Sequence, residues 1–112
     1  MAVLCNGSTA SAAELFTAAL RDYKKATLVG ETTYGKGVAQ NTFRLGDGSA
    51  VKLTTSYYDP PSGVNYDGVG VTPDVLVTVP EGYTVAGQYS LNESEDAQLQ
   101  AAVAVLTDGG EP

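Results

Sequence analysis

Two short apolar runs, Ala2-Val3-Leu4-Cys5 and Ala26-Thr27-Leu28-Val29, flank one amphipathic segment, residues 11–22. Each run is too short for a helix and reads as a buried strand. Between them Ala12, Leu15, Phe16, Ala19, Leu20 and Tyr23 recur at helical spacing and predict one apolar face. Strand, helix, strand in so short a stretch gives the chain βαβ character from its first residues.

The pattern then changes. Gly30 to Gly37 is a loop with three glycines. Residues 38–45 and 50–58 predict a hairpin around Gly46-Asp47-Gly48-Ser49. In its second arm Val51, Leu53, Thr55 and Tyr57 alternate with Lys52, Thr54, Ser56 and Tyr58, the period of a half-buried strand. Asp59-Pro60-Pro61-Ser62-Gly63 forces a turn. Residues 73–79 predict another strand, with Val75, Val77 and Val79 on one face. Asn92-x-x-Glu95 marks a helix start, and residues 94–106 continue as helix. Residues 107–112 read as a polar tail. Five short strands and two helices in 112 residues make one domain of mixed α/β (α+β) class.

Hydrophobic residues make up 43 % of the chain and charged residues 17 %, enough apolar matter for a core. The formal net charge is −7, from 6 basic and 13 acidic side chains, so neither a nucleic acid nor an anionic membrane surface is an expected partner. No stretch reads as a secretory signal or a membrane-spanning helix. The single cysteine, Cys5, lies inside an apolar run and reads as a small buried hydrophobe. The chain has no histidine. A Ser-His-Asp triad cannot form within it, and histidine-based zinc sites are excluded. Hydrolytic chemistry here needs another base.

Three places could carry chemistry. Ser11 opens the first helix. Ser11-Ala12-Ala13-Glu14 fits a capping box, which is a purely structural use of the serine. The functional use is a hydroxyl beside the free N–H groups and partial positive charge of a helix N-terminus, where a developing oxyanion is favoured. The Ala12 N–H is then a natural donor. Lys36, between Gly35 and Gly37, is either a surface lysine or a base. A free lysine titrates near ~10.4, so a basic role needs apolar surroundings that favour the neutral amine. Thirdly, Gly30 to Lys36 matches the spacing G-x-x-x-x-G-K of a phosphate loop. Gly37 stands where that motif needs Ser or Thr, and a strand pattern follows where a helix is required.

In combination these pieces resemble the carboxyl-terminal processing, or tail-specific, proteases. Ser8-Thr9-Ala10-Ser11-Ala12-Ala13-Glu14-Leu15 is similar to that family's serine motif, and Val29-Gly30-Glu31-Thr32-Thr33-Tyr34-Gly35-Lys36-Gly37 to the segment leading to its lysine. Asp47 to Thr55 and Gly68 to Asp74 resemble two further blocks, in the same order. The resemblance implies Ser11 as nucleophile, Lys36 as general base, Gln40 as the residue that positions the lysine, and the Ala12 N–H as one oxyanion donor. It implies peptide-bond hydrolysis near protein C-termini through an acyl-enzyme, with no metal or other cofactor, on a core similar to the ClpP/crotonase fold. Pro60-Pro61 carries one proline more than the family's turn. By the same resemblance residues 1–106 are the C-terminal portion of the protease core. The N-terminal half of that core and a PDZ domain, which bind and orient a protein or peptide substrate, are then the expected partners. The isolated chain is expected to be weakly active or inactive, and to self-associate through uncovered surfaces. An exported or cell-envelope location is implied. A non-enzymatic module that keeps the fold and binds a peptide strand, or a second copy, is the alternative.

Overall fold

A computed structural model describes residues 1–84 and 87–107. Five strands and two helices form two small sheets, an α+β fold: β1 (Ala2–Cys5), α1 (Ala12–Asp22), β2 (Thr27–Gly30), β3 (Val38–Arg44), β4 (Ala50–Tyr57), β5 (Val75–Leu76) and α2 (Ala97–Thr107). A short 3₁₀ turn, Gly87–Ser90, precedes α2.

The predicted βαβ unit is present. β1 and β2 pair in parallel, with Val3 opposite Leu28 and Cys5 opposite Gly30. β5 adds to the other side of β2, giving the order β1-β2-β5. Leu28 and Val29 point to opposite faces of β2, and both are fully buried. The central strand is therefore covered on both sides, as parallel sheets require. Leu28 packs with Cys5, Ala18 of α1, Tyr66 and Val71. α2 lies against β1 and β2, and the Gln98 side-chain amide donates to the Val77 carbonyl at 2.7 Å. Burying Leu28 alone contributes roughly 1.5–3 kcal/mol. Cys5 is buried as expected, and burial, then the Asp74 charge, pushes its thiol up.

Several expectations need correction. The buried residues of α1 are Glu14, Thr17 and Ala18. Phe16 and Tyr23, from the predicted apolar face, are 64 % and 65 % exposed. β5 has two residues, where a strand over 73–79 was expected. β2 ends at Gly30, whose carbonyl accepts the Val77 N–H at 2.8 Å; beyond it the Glu31 carboxylate takes the Val79 N–H at 3.1 Å and no strand is left to pair with. α2 starts at Ala97 because Asp96, not Asn92, is its cap: Asp96 Oδ1 accepts the N–H groups of Gln98 and Leu99, each at 3.0 Å. Thr107 is the last residue of α2 and not part of a tail, and the rest of the predicted tail, 108–112, lies outside the described residues.

β3 and β4 form the expected hairpin, from Val38↔Tyr57 to Arg44↔Ala50. The register shifts between Ala39 and Gln40, which face Ser56 and Thr54, so Thr55 is the extra residue of a bulge. Every residue of β4 is exposed, contrary to the half-buried pattern. Among the described residues the hairpin is a separate two-stranded sheet; Val38, Ala39 and Gln40 at its base are half-buried and the rest of both strands is exposed. No helix among the described residues is long and apolar enough to cross a membrane.

Candidate active site

The turn from β1 into α1 is built by its polar residues. Asn6 Oδ1 accepts the Ser8 N–H at 2.9 Å, the Thr9 hydroxyl accepts the Asn6 N–H at 3.1 Å, and the Asn6 carbonyl accepts the Thr9 N–H at 2.9 Å. This knot delivers Ser11 to the N-cap of α1 with φ 59° and ψ −120°. A residue other than glycine pays about 1–3 kcal/mol for such a backbone. A serine held in a strained turn between a strand and a helix is the arrangement that exposes a nucleophilic hydroxyl.

Ser11 and Glu14 stand as in a capping box, yet the Ser11 hydroxyl forms no cap hydrogen bond. The Glu14 N–H donates instead to the Ser11 carbonyl oxygen at 2.9 Å. The Ala12 N–H, at the first helical position, donates to no group among the described residues, as expected for an N-terminal N–H.

Glu14 is 0 % exposed. Its Oε2 accepts the N–H groups of Ser11 and of Lys36, both at 2.8 Å. Its Oε1 accepts the Gly35 N–H at 2.6 Å and the Thr33 hydroxyl at 2.5 Å. Burial alone would raise the carboxyl's pKa; the hydrogen bonds, led by Thr33, outweigh it and hold the group below its usual range. Because Ser11 and Lys36 share one oxygen atom, their backbone nitrogens lie no more than twice 2.8 Å apart. The Thr9 carbonyl, accepting from the Tyr34 N–H at 2.9 Å, is a second tie between the two segments.

The segment 65–71 braces the lysine loop from the other side. Asp67 Oδ1 accepts the Gly37 N–H at 2.9 Å, and the Gly35 carbonyl accepts the Gly68 N–H at 2.9 Å. A Cβ on Gly37 would lie 2.9 Å from the Asp67 nitrogen, so the glycine beside Lys36 permits this close approach. The buried Tyr66 hydroxyl donates to the Ser11 carbonyl at 3.4 Å. Burial first, and then the Glu14 charge, raises its pKa, so it stays a donor.

These bonds also dispose of the phosphate-loop reading. The N–H groups of Gly35, Lys36 and Gly37 that would cradle a phosphate are taken by two carboxylates, and β3 follows where a helix is needed.

The structure thus brings the backbones of Ser11, Ala12 and Lys36 together. Gln40 lies four residues on, opposite the bulge in β4, and its amide nitrogen donates to Thr54 Oγ1 at 3.3 Å rather than to Lys36. A groove of about 710 Å³ runs along the open edge of β1, lined among others by Leu4, Thr9, Ala10, Ala13, Phe16 and Leu99. Neither Ser11 nor Lys36 lines it. Sequence reasoning missed the reach of Glu14 and the bracing by Tyr66 and Asp67. The glycines of the 65–71 segment were the one available sign of a close approach.

A strained serine at a helix N-terminus, joined to a lysine loop on a small α+β scaffold, is the outline of a serine peptidase core. The profile of peptidase family S41 matches residues 1–77, and the chain belongs to that family. It is 38 % identical over 109 residues to a carboxyl-terminal-processing protease of Synechocystis sp., covering 97 % of this chain and 25 % of that protein. It is 50 % identical over 74 residues to the chloroplastic carboxyl-terminal-processing peptidase 2 of Arabidopsis thaliana, covering 66 % and 14 %. Among solved structures, a photosystem II D1 C-terminal processing protease superimposes with a TM-score of 0.70 at 38 % identity, covering 88 % of this chain and 26 % of that one. The chain spans a quarter or less of these relatives' length, to within a percentage point.

Proposed function

We propose that this chain carries the nucleophile and base of a serine endopeptidase that cuts near protein C-termini. Ser11 is the nucleophile and Lys36 the base. The observation that carries the reading is the shared anchor: Ser11, in its strained turn, and Lys36 hang by their N–H groups from one oxygen of buried Glu14. In the reaction Ser11 Oγ attacks the scissile carbonyl while a neutral Lys36 Nζ takes the hydroxyl proton. The carbonyl oxygen becomes an oxyanion facing the Ala12 N–H. The C–N bond breaks, Lys36 returns the proton to the leaving amine, and an ester on Ser11 remains. Water then attacks the ester, losing a proton to Lys36, which passes it back to Ser11. Gln40 orients Lys36, after release from Thr54. The relatives' names, carboxyl-terminal-processing protease and peptidase, support the substrate class.

One N–H makes half an oxyanion hole, and losing one donor costs on the order of a hundredfold in rate. The chain on its own is therefore weakly active or inactive. The rest of the enzyme, a preceding half-core and a PDZ domain, is its partner. We place the protein outside the cytoplasm or in the cell envelope; the chloroplastic name of one relative lends support.

The test is a fluorophosphonate probe read by intact mass on the parent, Ser11→Ala and Lys36→Ala. Labelling of the parent lost in both variants is expected once the remainder of the protein is present. Equal labelling of Lys36→Ala and the parent would remove Lys36 from the reaction.

A further inference from the structure

We propose that Glu14 is a positioning residue of the peptidase, the ionised joint that sets Ser11 against Lys36; this rests on the dyad reading above. A capping box accounts for only one of its four hydrogen bonds, the one from Ser11, three residues away. The other three reach 19, 21 and 22 residues along the chain, to Thr33, Gly35 and Lys36.

A carboxylate with no solvent exposure is costly unless its lone pairs are filled. An ionised carboxylate offers about four acceptor sites and no donor. Glu14 meets four donors, two on each oxygen, and among the described residues no cation pairs with it. The charge is therefore held by three backbone N–H groups and one hydroxyl. Such bonds have directions, so the carboxylate fixes where the serine turn sits relative to the lysine loop.

No other side chain fits this socket. Glutamine has one acceptor oxygen, and its NH₂ would confront two donors. Aspartate is one methylene shorter and cannot span from α1 to the loop. Thr33 completes the joint: its hydroxyl donates to Glu14 and accepts the Val71 N–H at 2.7 Å, tying the segment after Tyr66 into the same network. The socket takes no substrate. Glu14 acts through Ser11 and Lys36, by keeping them within reach.

The experiment uses the intact protein and reads peptide hydrolysis, fluorophosphonate labelling rate and melting for Glu14→Gln, Lys36→Ala and the double variant. Glu14→Gln is expected to lower kcat and the labelling rate about a hundredfold, the scale of a misplacement near 1 Å, with KM changed by less than about twofold. The double variant should label no more slowly than Lys36→Ala alone, because both changes disable one unit. Full labelling of Glu14→Gln, or losses that multiply in the double variant, would overturn the proposal. Undiminished labelling of Lys36→Ala would instead overturn the dyad reading, whatever Glu14 does. If Glu14→Gln does not fold, Thr33→Ser and Thr33→Val decide. The serine variant should keep its kcat and the valine variant lose about tenfold, roughly one hydrogen bond to a charged group; equal kcat in the two would overturn the proposal.

Discussion

Thr33 holds Val71 from both sides: its N–H donates to the Val71 carbonyl at 3.1 Å, and its hydroxyl accepts the Val71 N–H at 2.7 Å. The contact is possible because the neighbour of Val71 is a glycine. Gly70 has φ +78°, and a Cβ built on it would lie 2.3 Å from the Thr33 carbonyl oxygen. Gly63 has a similar φ, +74°, with nothing within 4 Å of its Cβ position. Gly63→Ala should therefore cost only the left-handed backbone term, about 1 kcal/mol. Gly70→Ala should cost about 3 kcal/mol, because a clash is added to the backbone strain. Urea unfolding of both variants checks this. Equal midpoints would show that Thr33 does not press against Gly70.

The Ser11 backbone, at φ 59° and ψ −120°, is one of two positive-φ positions occupied by a residue other than glycine among those described. The other, Lys24, closes α1, with N–H groups of Lys24 and Lys25 returned to Arg21 and Leu20 in a Schellman motif. Strain at a helix end is a common stop; at a helix start it stands here beside the proposed nucleophile. Ser11→Gly and Ser11→Ala both delete the hydroxyl and should both abolish labelling. Only glycine relieves the backbone. Ser11→Gly should melt higher than Ser11→Ala, by about 1 kcal/mol in stability. The reverse order would mean that the turn is not strained.

Much of this was legible in the sequence, for identifiable reasons. β1 and β2 are apolar runs bounded by polar turns; β2 is buried as read, whereas in β1 only Cys5 is buried and Leu4 is 44 % exposed. Ser11 and Lys36 stood out through motif and spacing. Of the partners of Glu14 only Ser11 was legible, through the capping box; Gly35 and Lys36 were not, because they bind through backbone N–H groups, which every residue but proline carries. The face of α1 was misread because periodicity marks apolar residues whether or not anything covers them, and Phe16 stays 64 % exposed. The strand period of β4 misled in the same way. Asn92 fitted a cap pattern, and the bonds from Gln98 and Leu99 place the cap at Asp96 instead.

The Glu14 network fixes the sign of a pH effect. The carboxyl's ordinary value is 4.5 and its folded value is lower, burial opposing and the Thr33, Lys36, Gly35 and Ser11 bonds prevailing. The folded state then binds fewer protons than the unfolded state. The stabilisation is complete above 4.5 and is lost as pH falls through the lower folded value. Asp22 acts in the same direction: burial again opposes, and bonds from Ser62 lead the lowering. Stability should therefore fall on acidification below 4.5, and Glu14→Gln should flatten the fall without removing the share due to Asp22. Urea midpoints across acid pH test this. An unchanged slope in Glu14→Gln would mean that the carboxylate is not held in its ionised form.

The hairpin exposes apolar side chains beside an unpaired edge among the described residues. The register places Phe43 opposite Val51 and Asn41 opposite Leu53 on one face. Phe43, Val51 and Leu53 are 49 %, 39 % and 51 % exposed, and the outer edge of β4 is unpaired among the described residues. A lone two-stranded sheet is marginal in water, and an open edge beside apolar side chains invites pairing. The isolated chain should associate at micromolar concentration, with a light-scattering mass above that of one copy. Leu53→Lys places a charge in the middle of the apolar face and should return the mass towards one copy without lowering the melting temperature, since Leu53 packs on nothing in the core. Phe16→Lys, at the groove beside β1, serves as the comparison. A parent that scatters as a single chain would refute association, and a Phe16→Lys variant that alone dissociates would move the contact from the hairpin to the β1 edge.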